Sequence, residues 1–222
     1  MVKIVPSLAS ADMLRLGAQI GELGDYPLLH LDIEDGNFVP NITFGMKTVR
    51  SVADLWGKSG ERTLDAHLMV TNPETYIDGL LEAGVSRIAF HFENVPYPAV
   101  LLNRIREGGA AAGAALNCMG RLEQVLPYAE AVDYLLIMTS EPDGKGQMFN
   151  ARMLEKIKTA RRLLPPSVGI MADGGISERE LLLTADAGAD AVVMGRAVWN
   201  YPDVRSRLEE LMRMANGKGD EA

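Results

Sequence analysis

An imidazole and a carboxylate two residues apart, His30 and Asp32, lie inside the apolar run Leu28-Leu29-His30-Leu31-Asp32-Ile33. Side chains of a strand alternate between its faces, so these two point one way while Leu29, Leu31 and Ile33 point the other. Buried polar groups of this kind are costly unless they are paired or bound to a ligand. Glu34-Asp35-Gly36-Asn37 follows as turn chemistry. It places the pair at the carboxyl end of its strand, where parallel α/β proteins bind ligands. The same spacing recurs at Asp65 and His67, and Asp173 closes a later apolar run. His30, Asp32, His67 and Asp173 together have the donor types of a divalent-metal site that leaves room for a substrate oxygen. A core histidine satisfied by a neighbouring acid is the structural alternative for the His30–Asp32 pair taken alone.

Bringing these side chains together needs a frame in which several strands end on one side. Apolar runs that read as buried strands occupy 3–6, 28–32, 63–69, 87–92, 111–117, 133–138, 168–172 and 190–194. The fifth is small and Ala-rich, suited to a crowded interior. Between them, Ser10-Ala11-Asp12 caps a helix running to about 23, a second helix spans 46–56, and Thr71-Asn72-Pro73-Glu74 starts a third. Further helices are expected at 99–108, 122–131, 150–163 and 204–215, and Ser177-Glu178-Arg179-Glu180 is a capping box. Leu23-Gly24, Ala83-Gly84 and Ala187-Gly188 each end a helix with glycine just before a strand, as in the αβ turn of a parallel repeat.

Eight such strand–helix pairs, without a linker or low-complexity segment, imply one α/β domain over 1–222. The expected architecture is a single (β/α)8 TIM barrel with a parallel eight-stranded barrel and a polar C-terminal tail from about 216. An open doubly wound sheet is disfavoured, because no Gly-x-Gly-x-x-Gly follows an early strand. On the barrel frame Ser7, His30, Asp32, Asp65, His67, His91, Glu93, Asn117 and Asp173 reach one mouth. Gly174-Gly175 and Gly195-Arg196 follow strands seven and eight, where barrels place a phosphate on backbone N–H groups.

Composition narrows the partners. With 47% hydrophobic residues the 222-residue chain can bury a large core. A net charge of −8 argues against nucleic acid or an anionic membrane as the main partner, so an anionic substrate needs a local site. One cysteine, Cys118, excludes an internal disulfide and suits a reducing compartment. The start MVKIVPSLAS is too short and polar for a signal peptide, and no apolar run approaches the length of a membrane span. A cytoplasmic location is expected.

Pro6-Ser7-Leu8-Ala9-Ser10-Ala11-Asp12, HLDIEDGNFVPNITFG at 30–45, DAHLMV at 65–70 and ADGGIS at 172–177 resemble the ribulose-phosphate 3-epimerase family, from strand one through strand eight. The resemblance implies a (β/α)8 barrel that inverts C3 of a ketose phosphate, typically interconverting D-ribulose 5-phosphate and D-xylulose 5-phosphate. It implies His30, Asp32, His67 and Asp173 as metal ligands, and Asp32 and Asp173 as the acid/base pair. One divalent ion is expected, Zn2+ first, with Fe2+, Mn2+ or Co2+ as alternatives. Ser7 and His67 stand where substrate would be touched. Gly144, Lys145 and Gly146 resemble a third phosphate-loop element beside Gly174, Gly175, Gly195 and Arg196. Family members commonly form dimers or larger homo-oligomers.

The sequence departs from the family pattern at three points. Glu34 stands where the family usually has a methionine, and a carboxylate there would be solvated, paired with a cation, or in contact with a differently shaped substrate. Asp143-Gly144-Lys145 alters a glycine-rich loop, and Arg196 replaces a small residue. These changes touch substrate recognition, so a tetrulose or hexulose phosphate such as allulose 6-phosphate is the alternative substrate. Met69, Met138 and Met171 remain candidate apolar walls. His91 reads as a hydrogen-bonding strand end, Asp65 as a support for His67, Cys118 as non-catalytic, and Trp56 and Trp199 as packing residues. Among rivals, a decarboxylase of related fold would carry an Asp-x-Lys-x-x-Asp relay, which is absent. A Schiff-base aldolase would need a lysine late in a strand. A sugar-phosphate sensor would not need a stoichiometric metal.

Overall fold

The computed structural model describes residues 1–57, 62–142 and 148–217. Its elements run β1 (Lys3–Pro6), α1 (Leu16–Glu22), β2 (Leu28–Glu34), α2 (Met46–Trp56), β3 (Thr63–Met69), α3 (Ile77–Ala83), β4 (Arg87–His91), α4 (Pro98–Glu107) and β5 (Ala111–Leu116). They continue as β6 (Tyr134–Met138), α5 (Met153–Leu163), β7 (Gly169–Asp173), α6 (Glu178–Asp186), β8 (Ala191–Met194), α7 (Arg196–Trp199) and α8 (Val204–Asn216). Every strand pairing is parallel, in the order β1-β8-β7-β6-β5-β4-β3-β2. A parallel bridge from Ser7 to His30 joins the two ends, so the sheet closes into the TIM barrel expected from the sequence.

Two apolar layers hold the barrel. Outward-facing strand residues such as Leu29, Leu31, Ile33, Leu135 and Ile137 meet the helices in the larger layer. The smaller layer fills the barrel itself with Val5, Met69, Ala89, Ala115, Tyr134, Leu136, Met171 and Val193. Small residues on β5 make room for the Tyr134 ring. A Cβ at Gly113 would lie 2.4 Å from Tyr134 Cζ, closer than any real contact. The ring reaches Asp65 Oδ1 with its hydroxyl at 2.9 Å, and Arg87 covers its face at 4.1 Å.

Two expected helices take other forms. The stretch Ser10-Ala11-Asp12 does not cap α1. Asp12 instead accepts from the Leu14 N–H in a local turn, and the helix begins at Leu16. Residues 122–131 form two 3₁₀ turns, Leu122–Gln124 and Leu126–Tyr128. Pro127 lacks the N–H that a continuous α-helix through this stretch requires. A further short helix, α7, follows β8 directly, and its Trp199 indole donates to the Ser7 carbonyl at 2.6 Å. β2 runs two residues past its expected end, which carries Glu34 into the barrel mouth. The expected polar tail falls largely on 218–222, outside the described residues.

Candidate active site

On β2 the alternation reads as expected, with His30, Asp32 and Glu34 on the inner face and Leu29, Leu31 and Ile33 under the helices. Parallel register sets His30 beside Asp65 and Asp32 beside His67 on β3. Asp173 reaches the same point from the end of β7. The result is a cluster of His30, Asp32, His67 and Asp173, each nearly or wholly buried, whose ligand atoms all lie within 4.8 Å of one another. His30 Nε2 is 3.1 Å from Asp32 Oδ1 and 3.8 Å from Asp173 Oδ2. His67 Nδ1 is 3.3 Å from Asp32 Oδ1 and 3.2 Å from Asp173 Oδ2.

The far nitrogen of each imidazole is tied down. His30 Nδ1–H donates to Asp65 Oδ2 at 3.1 Å, so Asp65 supports His30 and not His67. Strand register decides this, since it puts Asp65 directly across from His30. His67 Nε2 meets His91 Nε2 at 2.9 Å, and His91 Nδ1–H donates to Glu93 Oε2 at 3.2 Å. With the His91 proton on Nδ1, its Nε2 accepts from His67 Nε2–H. Each imidazole thereby turns one nitrogen, His30 Nε2 and His67 Nδ1, toward the two carboxylates. Two oriented imidazoles, two carboxylates and fixed outer partners fit a divalent cation, with nitrogen and oxygen donors and no thiolate.

Electrostatics separates the two acids. Burial pushes both upward, but His30 and His67 outweigh it at Asp32 and hold that carboxyl well below the usual range. Asp173 is raised by burial and by the charge of Asp32. Burial opposes charge on His67, yet Asp173 and Asp32 raise it to about 9. His91 falls to about 4, chiefly through burial, which keeps it neutral. Ser7 Oγ donates to Asp32 Oδ2 at 2.5 Å, and Thr43 Oγ1 donates to the Asp32 carbonyl, so the residue is held from both ends.

A cavity of about 600 Å³ opens above the cluster. Ser7, Asp32 and Asp173 line it, as do Gly174, Gly175, Gly195 and Arg196 beyond the ends of β7 and β8. Gly174 takes φ +112°, and a Cβ there would strike Ser140 Oγ, so only glycine serves at this turn. Gly144, Lys145 and Gly146 lie outside the described residues. Met69 and Met138 form apolar wall, whereas Met171 packs inside the barrel. Glu34 also lines the cavity; it is buried, not solvated, and accepts from Asn41 Nδ2 at 2.5 Å. Burial first, then the charge of Asp32, raises its carboxyl to about 7.

Arg207 is a cavity residue that the sequence reading missed. Its side chain is 3% exposed, and the guanidinium donates to Glu178, Glu210 and the Ala197 carbonyl while lying 4.0 Å over the Tyr201 ring. A signal existed. Val204, Arg207, Leu208 and Leu211 occupy the buried stripe of α8, and an arginine in an apolar stripe asks for a partner.

The family model described as Ribulose-phosphate 3 epimerase family matches residues 3–199. The ribulose-phosphate 3-epimerase of Schizosaccharomyces pombe is 38% identical over 200 residues, covering 89% of this chain and 87% of that one. That of Aquifex aeolicus is 35% identical over 219 residues, covering 95% and 96%. The cytoplasmic isoform from Oryza sativa subsp. japonica is 34% identical over 223 residues, covering 97% and 95%. Among solved structures, 3-hexulose-6-phosphate synthase from Salmonella typhimurium superposes with a TM-score of 0.71 at 15% identity, covering 96% of this chain and 98% of that one. That likeness is one of fold alone.

Proposed function

The chain belongs to the ribulose-phosphate 3-epimerase family, and from that premise we infer that the protein is an isomerase inverting C3 of a ketose phosphate, D-ribulose 5-phosphate to D-xylulose 5-phosphate. The observation that carries the reading is geometric: Asp32 near the end of β2 and Asp173 at the end of β7 converge on one buried cluster and both line the cavity above it. Inversion beside a carbonyl takes a proton from one face of the carbon and delivers one to the other. It therefore starts with one ionised and one protonated group.

Asp32, ionised and held by Ser7, takes the C3 proton. Asp173, protonated, delivers one from the opposite face, and the reverse reaction exchanges their roles. His30, Asp32, His67 and Asp173 would hold one divalent cation, Zn2+ by choice of donors, which supplies Lewis-acid stabilisation of the negative charge of the enediolate. Met69 and Met138 keep water from the reacting carbon. The backbone at Gly174, Gly175 and Gly195 and the Arg196 side chain hold the phosphate, and the same role is proposed for Gly144, Lys145 and Gly146 on the family resemblance of their sequence alone. Ser7, which lines the cavity, touches the sugar, whereas His67 is wholly buried with both ring nitrogens engaged and serves as a ligand only. The protein works in the cytoplasm as a dimer or larger homo-oligomer. No helix among the described residues is long and apolar enough to cross a membrane.

The test is conversion of D-ribulose 5-phosphate followed by 13C NMR. D-xylulose 5-phosphate is expected to accumulate to equilibrium, to stop on chelation and to resume with Zn2+. No conversion by protein with one bound metal per chain would sink the reading.

A further inference from the structure

We propose that Glu34 determines specificity by accepting a hydrogen bond from the hydroxyl at the end of the ketose remote from its phosphate, a proposal that rests on the epimerase reading. The phosphate end of the cavity is set by Gly174, Gly175 and Gly195, after β7 and β8. The reacting carbon lies between Asp32 and Asp173, so the rest of the sugar chain extends toward the wall of β2 and β3. Met69 ends β3 and offers nothing polar. Glu34 ends β2, two residues beyond Asp32 on the same face, and lines the cavity at 5% exposure.

The carboxylate is fixed in advance. An antiparallel bridge from Asp35 to Ile42 folds the following loop back over the strand end. The Glu34 N–H donates to Thr43 Oγ1 at 3.1 Å, and the Thr43 N–H donates to the Glu34 carbonyl at 3.4 Å. Asn41, carried by the same loop, donates to Oε2, and among the described residues it is the hydrogen-bond partner of this carboxylate. One oxygen is thus occupied by the loop while the carboxylate borders the cavity. A buried carboxylate left facing an apolar ligand would keep an unsatisfied acceptor, which a hydroxyl relieves. A terminal hydroxymethyl group on the ketone carbon supplies that hydroxyl, and a terminal methyl group does not.

Comparing D-xylulose 5-phosphate with 1-deoxy-D-xylulose 5-phosphate, in wild type, Glu34→Met and Glu34→Gln, tests this directly, with metal content measured on each protein. Wild type is expected to favour the hydroxylated compound in kcat/KM by roughly 10–100-fold. Glu34→Met is expected to lose that preference through a fall on the hydroxylated compound alone, and Glu34→Gln to restore part of it with the same bound metal. Equal falls on both compounds, or no change on either, would overturn the proposal. Wild type turning over both compounds alike would overturn it too, while leaving the epimerase reading intact. Wild type inverting neither compound would remove the epimerase reading and the proposal with it.

Discussion

Nε2 of His91 lies 2.9 Å from Nε2 of His67, and this contact decides which nitrogen of His67 faces the carboxylates. The chain Glu93–His91–His67 passes a hydrogen-bond direction inward from the rim of the barrel to the cluster. His91 therefore contributes to the candidate metal centre without reaching it.

Replacing His91 with phenylalanine removes the acceptor for His67 Nε2–H and keeps the ring volume. Divalent-metal affinity is expected to fall about 10–100-fold, the usual effect of losing an outer partner of a metal-bound histidine. Competition with a chromophoric chelator measures it. Unchanged affinity would show that His67 is oriented by packing alone.

Arg207 ties α8 to the start of α6 through Glu178 and to α7 through the Ala197 carbonyl, the two helices that follow β7 and β8 and their glycines, the proposed phosphate site. Arg207→Met is expected to raise KM for the sugar phosphate several-fold with a smaller change in kcat, and to cost about 2 kcal/mol of stability. Steady-state kinetics and urea unfolding read both. A loss confined to kcat would contradict a role in holding the phosphate end.

Tyr26 donates its hydroxyl to the Ile4 carbonyl at 2.7 Å, and burial raises its pKa to about 12. The folded protein thus keeps a proton that the unfolded chain releases near pH 10. The resulting stabilisation is fully present below about pH 10 and is lost as pH rises toward 12. Unfolding midpoints for wild type are expected to drop through that window more steeply than for Tyr26→Phe. Parallel pH profiles would contradict the assignment.

Much of this was legible in the sequence, for a physical reason. Strands of a parallel barrel are buried on both faces, so each leaves a continuous apolar run, and polar intruders such as His30, Asp32 and His67 mark the functional face. Other features depend on neighbours the sequence does not name. The pairing of Asp65 with His30 follows from strand register, and the burial of Arg207 follows from how α8 packs. The stretch 122–131 carries a helical apolar pattern, yet one proline breaks it into 3₁₀ turns. Glu34 was visible as an unusual carboxylate, but its partner Asn41 became plain only once the loop was seen to fold back.

The central claim is that Asp32 and Asp173 move protons on opposite faces of C3. Proton NMR of D-ribulose 5-phosphate in deuterium oxide tests it, using metal-loaded wild type, Asp32→Asn and Asp173→Asn. Wild type is expected to replace the C3 proton with deuterium as the C3 epimer appears, and each variant to invert at least about 100-fold more slowly. An asparagine variant that still inverted C3 at the wild-type rate would contradict the two-carboxylate mechanism.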